Sequence, residues 1–448
     1  METAARILAR FASGLQLADV PELDRERATQ CIIDSVGVTL LGSTFPWAQM
    51  ARRYAEHYGA GGTSRVWGSP TRVSAPLAAL ANGVAAHAFE LDSLRKPGAG
   101  VHPGAALVPV ALALGEELHS SGADVLTAIV AGCEVMFRIG AASKHSPELL
   151  GFHAPGLTGP FGAAIVAGKL LRLDADRLCQ ALGIAGSLCS GLLAFAHANN
   201  GAMVKRLHLG RAAESGILAA RLAEGGFEGP NTILEGVSGF LDAYCDDTDP
   251  ALLTAGLGER WETRKLCIKR YACHVTAHTP IESVRALRNQ HRFGPEDISS
   301  IRVRASSKVV SHHSAREAQD VMALQYSVPF CVAIALLDDP DDPMAFGDRS
   351  LRNPQLHALA RKMTCEPWPD APSGWASEVQ IILRDGRALA RGEDDFPGTL
   401  TRPLSSAQLR AKFLRCASTF AHAEPLLEQL DAIASVRDVE TLPLARSD

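Results

Sequence analysis

The chain reads as a mainly α protein: a large helix-rich region, then a smaller α+β region, then a helical tail. Three observations carry this reading. Apolar runs of helical length, bordered by Gly or Pro, fill the chain up to about residue 265. Period-two alternation enters only beyond Trp261. Ser405-Ser406-Ala407-Gln408 has the form of a capping box that opens a final helix. The boundaries that follow are 1–265 and 396–448 for the helical part and 266–395 for the α+β part. A length of 448 residues suits two domains.

Taken in order, Cys31 to Leu41 is an apolar stretch behind the charged Asp24-Arg25-Glu26-Arg27, which suits a first helical turn. Ala75 to Leu91 is rich in Ala and other small residues. Ala105 to Leu118, Val125 to Ile139, Thr158 to Leu171 and Arg177 to Phe195 each have helical length. Leu209 to Glu224 sets apolar residues among charges and stops at Gly225-Gly226. In the α+β part, Ile301 to Ala305 and Val379 to Leu383 alternate as strands. The second meets Asp385-Gly386, a hairpin signal, before Arg387-Ala388-Leu389. Thr279 to Asn289 and Ala323 to Leu337 are helical stretches between them. The tail from Ser405 to about Ala434 is helical and is expected to pack back on the first region.

Charge and composition exclude several classes. Lys plus Arg number 44 against 49 Asp plus Glu, a net charge of −5, so nucleic-acid and membrane-surface partners are not expected. No apolar run is long enough for a membrane span, and no basic segment followed by an apolar one opens the chain. Ten cysteines are scattered without a C-x-x-C pair, as in a reduced, cytoplasmic protein. Aromatic residues are only 6%, so small residues carry much of the packing.

Familiar catalytic motifs are missing. There is no G-x-S-x-G and no G-x-G-x-x-G behind a strand. Gly162 to Lys169 imitates a phosphate loop, but is one residue too long and continues with Leu170 instead of Ser or Thr. His274 and His278 have helical metal-ligand spacing but lack a third ligand, and the adjacent His312 and His313 point apart, so no metal is expected.

Four polar segments do interrupt the apolar helices. They are His87 to Ser93 with Val101-His102-Pro103-Gly104, Gly151-Phe152-His153-Ala154-Pro155-Gly156, Val204 to Gly210, and Ile268 to His274. Each places titratable groups beside Gly or Pro at a helix terminus, where loops on rigid helices carry sites and N-termini favour anions. Lys neutralises carboxylates, and a neutral His takes or returns a proton near pH 7. The chemistry suggested is proton transfer on an anionic substrate.

These segments, with Lys205-Arg206-Leu207-His208-Leu209-Gly210-Arg211-Ala212-Ala213 and Lys269-Arg270-Tyr271-Ala272-Cys273-His274 in order, resemble the signatures of the MmgE/PrpD family. That family includes 2-methylcitrate dehydratase, cis-aconitate decarboxylase and iminodisuccinate epimerase. Cys31 to Gly37 and Gln325-Tyr326-Ser327-Val328-Pro329 also fit, and the resemblance spans about Ala4 to Leu430. It implies a large helical domain built from both chain ends, a smaller inserted α+β lid, an active site in the cleft between them, a homodimer, and no metal or organic cofactor. Carried over by motif, the catalytic set is Glu90, Asp92, His102, His153, Lys205, Lys269 and His274, with Lys205, Arg206, His208 and Lys269 binding substrate.

The chain departs from the pattern where Glu90 replaces an Asp and Asp92-Ser93-Leu94 replaces Asp-Asp-Thr. A tyrosine usual before the Gly-Phe-His block is missing, and Lys308 stands near the place where the decarboxylase branch has another. The resemblance therefore implies a lyase, first a dehydratase, acting on a small di- or tricarboxylic acid by α-proton abstraction. An iminodisuccinate-type epimerase, a cis-aconitate-type decarboxylase and a non-catalytic carboxylate-binding protein are the alternatives.

Overall fold

The computed structural model describes residues 2–98, 100–196 and 202–445. The chain divides into two compact units, Met1–Ala88 with Asp92–Ile268 and Ser405–Asp448, and Phe89–Leu91 with Lys269–Leu404.

The first unit is mostly helical. Its centre is formed by Pro103–Glu117, Gly122–Ala142 and Ala154–Leu170, which are buried along nearly their whole length. Helices apolar all round must be enclosed by other helices. Gly122–Ala142 is long and apolar enough to cross a membrane, but 94% of its most apolar window is buried within the protein, as befits a core helix.

Val204–Glu224 packs against both Ala75–Ala86 and Ala154–Leu170. Glycine allows this closeness. A Cβ on Gly210 would stand 2.4 Å from the Leu80 carbonyl oxygen, and one on Gly216 would stand 2.2 Å from the Ala163 side chain. The tail is fastened by charge. Lys412, on the Ser406–Cys416 helix, donates to the buried Asp34 of Glu22–Gly42. Arg65 pairs with buried Glu116 and donates to the backbone carbonyls of Val439, Glu440 and Leu442. Ser405 and Gln408 form the capping box read from the sequence.

The second unit is built on a four-stranded sheet in the order Met363–Pro367, Ile298–Ala305, Ser377–Leu383, Ala388–Glu393. The first pair is parallel and the others antiparallel. Val379, Ile381 and Leu383 face inward at period two, and His278–Gln290 packs on this part of the sheet. Gly386 takes φ +91° in the hairpin turn.

Three elements differ from the sequence reading. The Ala75 helix stops at Ala86 rather than Leu91, with His87 as its C-cap, and Glu90 beyond it lies in the left-handed region at φ +57°. The helix expected to reach Phe195 ends at Gly186, and Gly191 at φ +133° takes a conformation closed to other residues. The stretch from Ala323 to Leu337 is two helices, Val321–Tyr326 and Val328–Leu337. Pro329 supplies no N–H to continue the first, and the Ser327 hydroxyl caps the second by accepting from the Phe330 N–H.

Gly210→Ala forces a methyl into the Leu80 carbonyl. A loss of roughly 1–3 kcal/mol is expected, seen as a drop of several degrees in Tm.

Candidate active site

Two clusters of titratable side chains emerge, one within each unit.

In the first unit, Asp92 is the centre. His102 is the N-cap of Pro103–Glu117, and His153 is the N-cap of Ala154–Leu170. Proline in each first helical turn fixes the backbone without losing an intrahelical hydrogen bond. His87 ends the Ala75–Ala86 helix, and Lys205 lies in the first turn of Val204–Glu224. Asp92 Oδ2 accepts from His102 Nδ1 at 2.8 Å and from His87 Nδ1 at 3.0 Å. Burial pushes the Asp92 carboxyl up, but His87 and His102 outweigh it and hold it well below the usual carboxylate range. An ionised carboxylate only accepts, so both rings carry Nδ1–H and leave Nε2 as the working nitrogen. Ser93 Oγ accepts from the Gly104 N–H at 3.1 Å, which ties the Asp92 loop to the helix start.

His87 is fully buried, and its ring lies 5.0 Å from that of His102 and 6.0 Å from that of His153. Burial brings His87 down to about 4 against the pull of Asp92. His153 Nδ1 lies 2.9 Å from His208 Nδ1. Burial, then the Lys205 charge, holds His153 well below its ordinary value and brings His208 to about 4. Lys205 is itself buried. The cluster thus combines an ionised carboxylate, a buried cation and imidazoles that burial keeps neutral.

In the second unit, Lys269 Nζ donates to the Glu90 carbonyl at 3.0 Å, with Glu90 Oε2 at 3.5 Å. The left-handed Glu90 is held by its neighbours: Gln325 Nε2 donates to the Phe89 and Ala272 carbonyls. His274 stacks on His313, with ring centres 4.1 Å apart, and its Nδ1 lies 2.8 Å from Thr276 Oγ1. His313 Nδ1 donates to the Tyr326 carbonyl at 3.0 Å. Burial, then His313 and Lys269, holds His274 well below the usual imidazole range.

The sequence-derived residues therefore fall in two groups. Asp92, His102, His153, Lys205 and His208 come together in the first unit, and Glu90, Lys269 and His274 in the second. Arg206 donates to the Ala88 and Ala202 carbonyls and lies over the Trp47 ring. His87 and His313 are additions. His87 could have been found from its place five residues before Asp92 in the same polar segment. His313 carried no signal beyond its neighbour His312.

Among the described residues, His87, Asp92 and His102 are grouped closely enough to hold a metal ion, with ligand atoms within 4.8 Å of one another. Their mutual hydrogen bonds already use both Nδ1 atoms and one carboxylate oxygen. His278 does not join His274 in a ligand pair: its ring packs against Tyr271 and Phe396.

Imidazoles, two of them oriented by one carboxylate, beside a buried lysine are groups of the kind used in acid–base chemistry. The family models for the MmgE/PrpD N-terminal and C-terminal domains match residues 6–253 and 271–437. The chain belongs to the MmgE/PrpD family. It is 29% identical to the cis-aconitate decarboxylase of Mus musculus, covering 98% of this chain and 92% of that protein. It is 28% identical to that of Homo sapiens, covering 95% and 90%, and 29% identical to that of Aspergillus terreus, covering 95% and 91%.

Protons bind more readily to the unfolded chain wherever burial lowers an imidazole. The ordinary histidine value is about 6.5, and His87 and His208 fall to about 4 in the fold. Their contribution to stability is whole above pH ~6.5 and is lost as pH falls toward 4. The depressed Asp92 adds a further loss below the ordinary carboxylate value. Calorimetry at pH 7.5, 6 and 5 should show Tm falling at each step.

Proposed function

We propose that this protein is a lyase acting on a small di- or tricarboxylic acid, first as a dehydratase. The observation that carries the reading is the Asp92–His102 hydrogen bond, which fixes His102 with its Nε2 available as a base. In the elimination, His102 Nε2 takes the α-proton. The C–H electron pair moves toward the adjacent carboxylate as an enediolate, and Lys205 stabilises that charge. The pair then forms the C=C bond, the C–O bond breaks, and the leaving hydroxyl takes a proton from His153 to depart as water. Lys269, Glu90 and His274 belong to the same reading, Lys269 as a second carboxylate-binding cation. The substrate class, a homodimeric state and a cytoplasmic setting are part of the proposal. Among the described residues the ten cysteines form no disulfide, which supports a reducing environment.

A second reading is favoured by the relatives, which are cis-aconitate decarboxylases. There a C–C bond breaks to release carbon dioxide, its electron pair forms the new double bond, and the former π pair takes a proton. That route needs an acid where the elimination needs both a base and an acid. Epimerisation would return the abstracted proton on the opposite face.

NMR in deuterium oxide with citrate, cis-aconitate, tartrate and aspartate-derived acids separates them. Water loss with α-exchange is expected. Carbon dioxide release without it selects the decarboxylase, and exchange without elimination selects the epimerase. Lys205→Ala should lower kcat by about 10²–10³-fold with an unchanged circular dichroism spectrum. Wild-type turnover in that variant would remove Lys205 from the mechanism.

A further inference from the structure

The pair His153–His208 has a geometry that the elimination alone does not require. The two Nδ1 atoms stand 2.9 Å apart, with ring centres at 5.0 Å and planes inclined by 46°. In such a contact one Nδ1 donates and the other accepts. One ring then has Nε2–H and the other a bare Nε2. The pair is held from several sides. Phe195 meets both rings edge-on, at 5.5 and 5.9 Å. The His153 N–H donates to the Gly191 carbonyl at 3.1 Å. A Cβ on Gly191 would press on His208 Nδ1 at 3.2 Å, so glycine at 191 leaves the His208 ring room. Exposure differs along the pair: His153 is buried at 6%, while His208 is partly open to solvent.

We propose that His153 and His208 form a two-histidine proton relay, in which His208 exchanges protons with solvent on behalf of the buried His153. A proton arrives at the bare Nε2 of His153, His153 passes its Nδ1 proton to His208, and His208 releases its Nε2 proton to water. Each transfer reverses the polarity of the Nδ1–Nδ1 bond, and the return transfer restores it. Both rings begin and end neutral. Lys205, whose charge bears on both rings, disfavours an imidazolium in either, so a concerted hand-over suits the site better than a stored charge. In the proposed elimination, the pair resupplies His153 with the proton that it gives to the leaving hydroxyl. This substrate role rests on the lyase reading; the relay does not. His208 acts through His153 and is a positioning residue for its proton.

The test uses the full chain with ¹⁵N-labelled histidine and begins without substrate. Exchange of the His153 ring N–H with water is measured by NMR in wild type, in His208→Phe, which keeps an aromatic ring against Phe195 but removes the nitrogens, and in His208→Ala with and without added imidazole. The expected result is at least a tenfold slowing in His208→Phe, and recovery of wild-type exchange in His208→Ala when imidazole is added. Unchanged exchange in His208→Phe overturns the relay. So does slowing that imidazole fails to relieve in His208→Ala, since a packing role responds to bulk and not to a diffusible base. If either variant does not fold, His208→Asn takes its place with the same expectation of slowing and rescue. Turnover of citrate and cis-aconitate is then followed in the same proteins. A relay present in a protein that turns over neither acid defeats the substrate role and leaves the relay standing.

Discussion

Asp92 is a buried carboxylate, and the first unit is arranged around compensating it. A charge removed from water is tolerable only when opposite charge or hydrogen-bond donors replace the solvent. Here two imidazole N–H groups converge on a single oxygen, Oδ2. That requirement sets more than stability. It fixes the tautomer of His87 and His102 and directs both Nε2 atoms away from the carboxylate. Asp92 acts through the two rings, and its own Oδ1 has no hydrogen-bond partner among the described residues.

The helices can bring these groups into reach because they are lined with small residues. Gly210 lies on the turn that follows Lys205 and His208, against the Leu80 carbonyl. Gly156 follows His153 and would clash with the Ser190 carbonyl if it bore a side chain. Larger residues at these contacts would separate the helices by an ångström or more, and hydrogen bonds of 2.8–3.0 Å around Asp92 do not survive such a shift. The low aromatic content and the 39 glycines are thus connected to the site as well as to the core.

Much of this was legible in the chain. Helix periodicity, the alternating strands and the Ser405 capping box follow from local physics. Polar residues breaking apolar helices singled out His102, His153, Lys205 and Lys269 as candidates. The rest depends on contacts distant in sequence. Arg206 sits in the same motif as Lys205, yet its guanidinium satisfies backbone carbonyls, and no local pattern distinguishes the two. Phe89–Leu91 belongs to the second unit while His87 and Asp92 belong to the first, because the left-handed turn at Glu90 breaks a run that composition alone extends to Leu91. His313 was hidden because adjacent side chains diverge, which dismisses a joint metal site but says nothing of what one ring alone can stack upon.

The net charge of −5 and the chemistry of the first cluster are reconciled by burial. Screening by water and salt makes the global charge a weak guide to a dehydrated cluster, where Lys205 acts at short range. Burial keeps His87, His153 and His208 neutral beside the buried Lys205. The same desolvation that costs stability in acid thus leaves a lysine among neutral imidazoles, the combination on which the proposed chemistry rests.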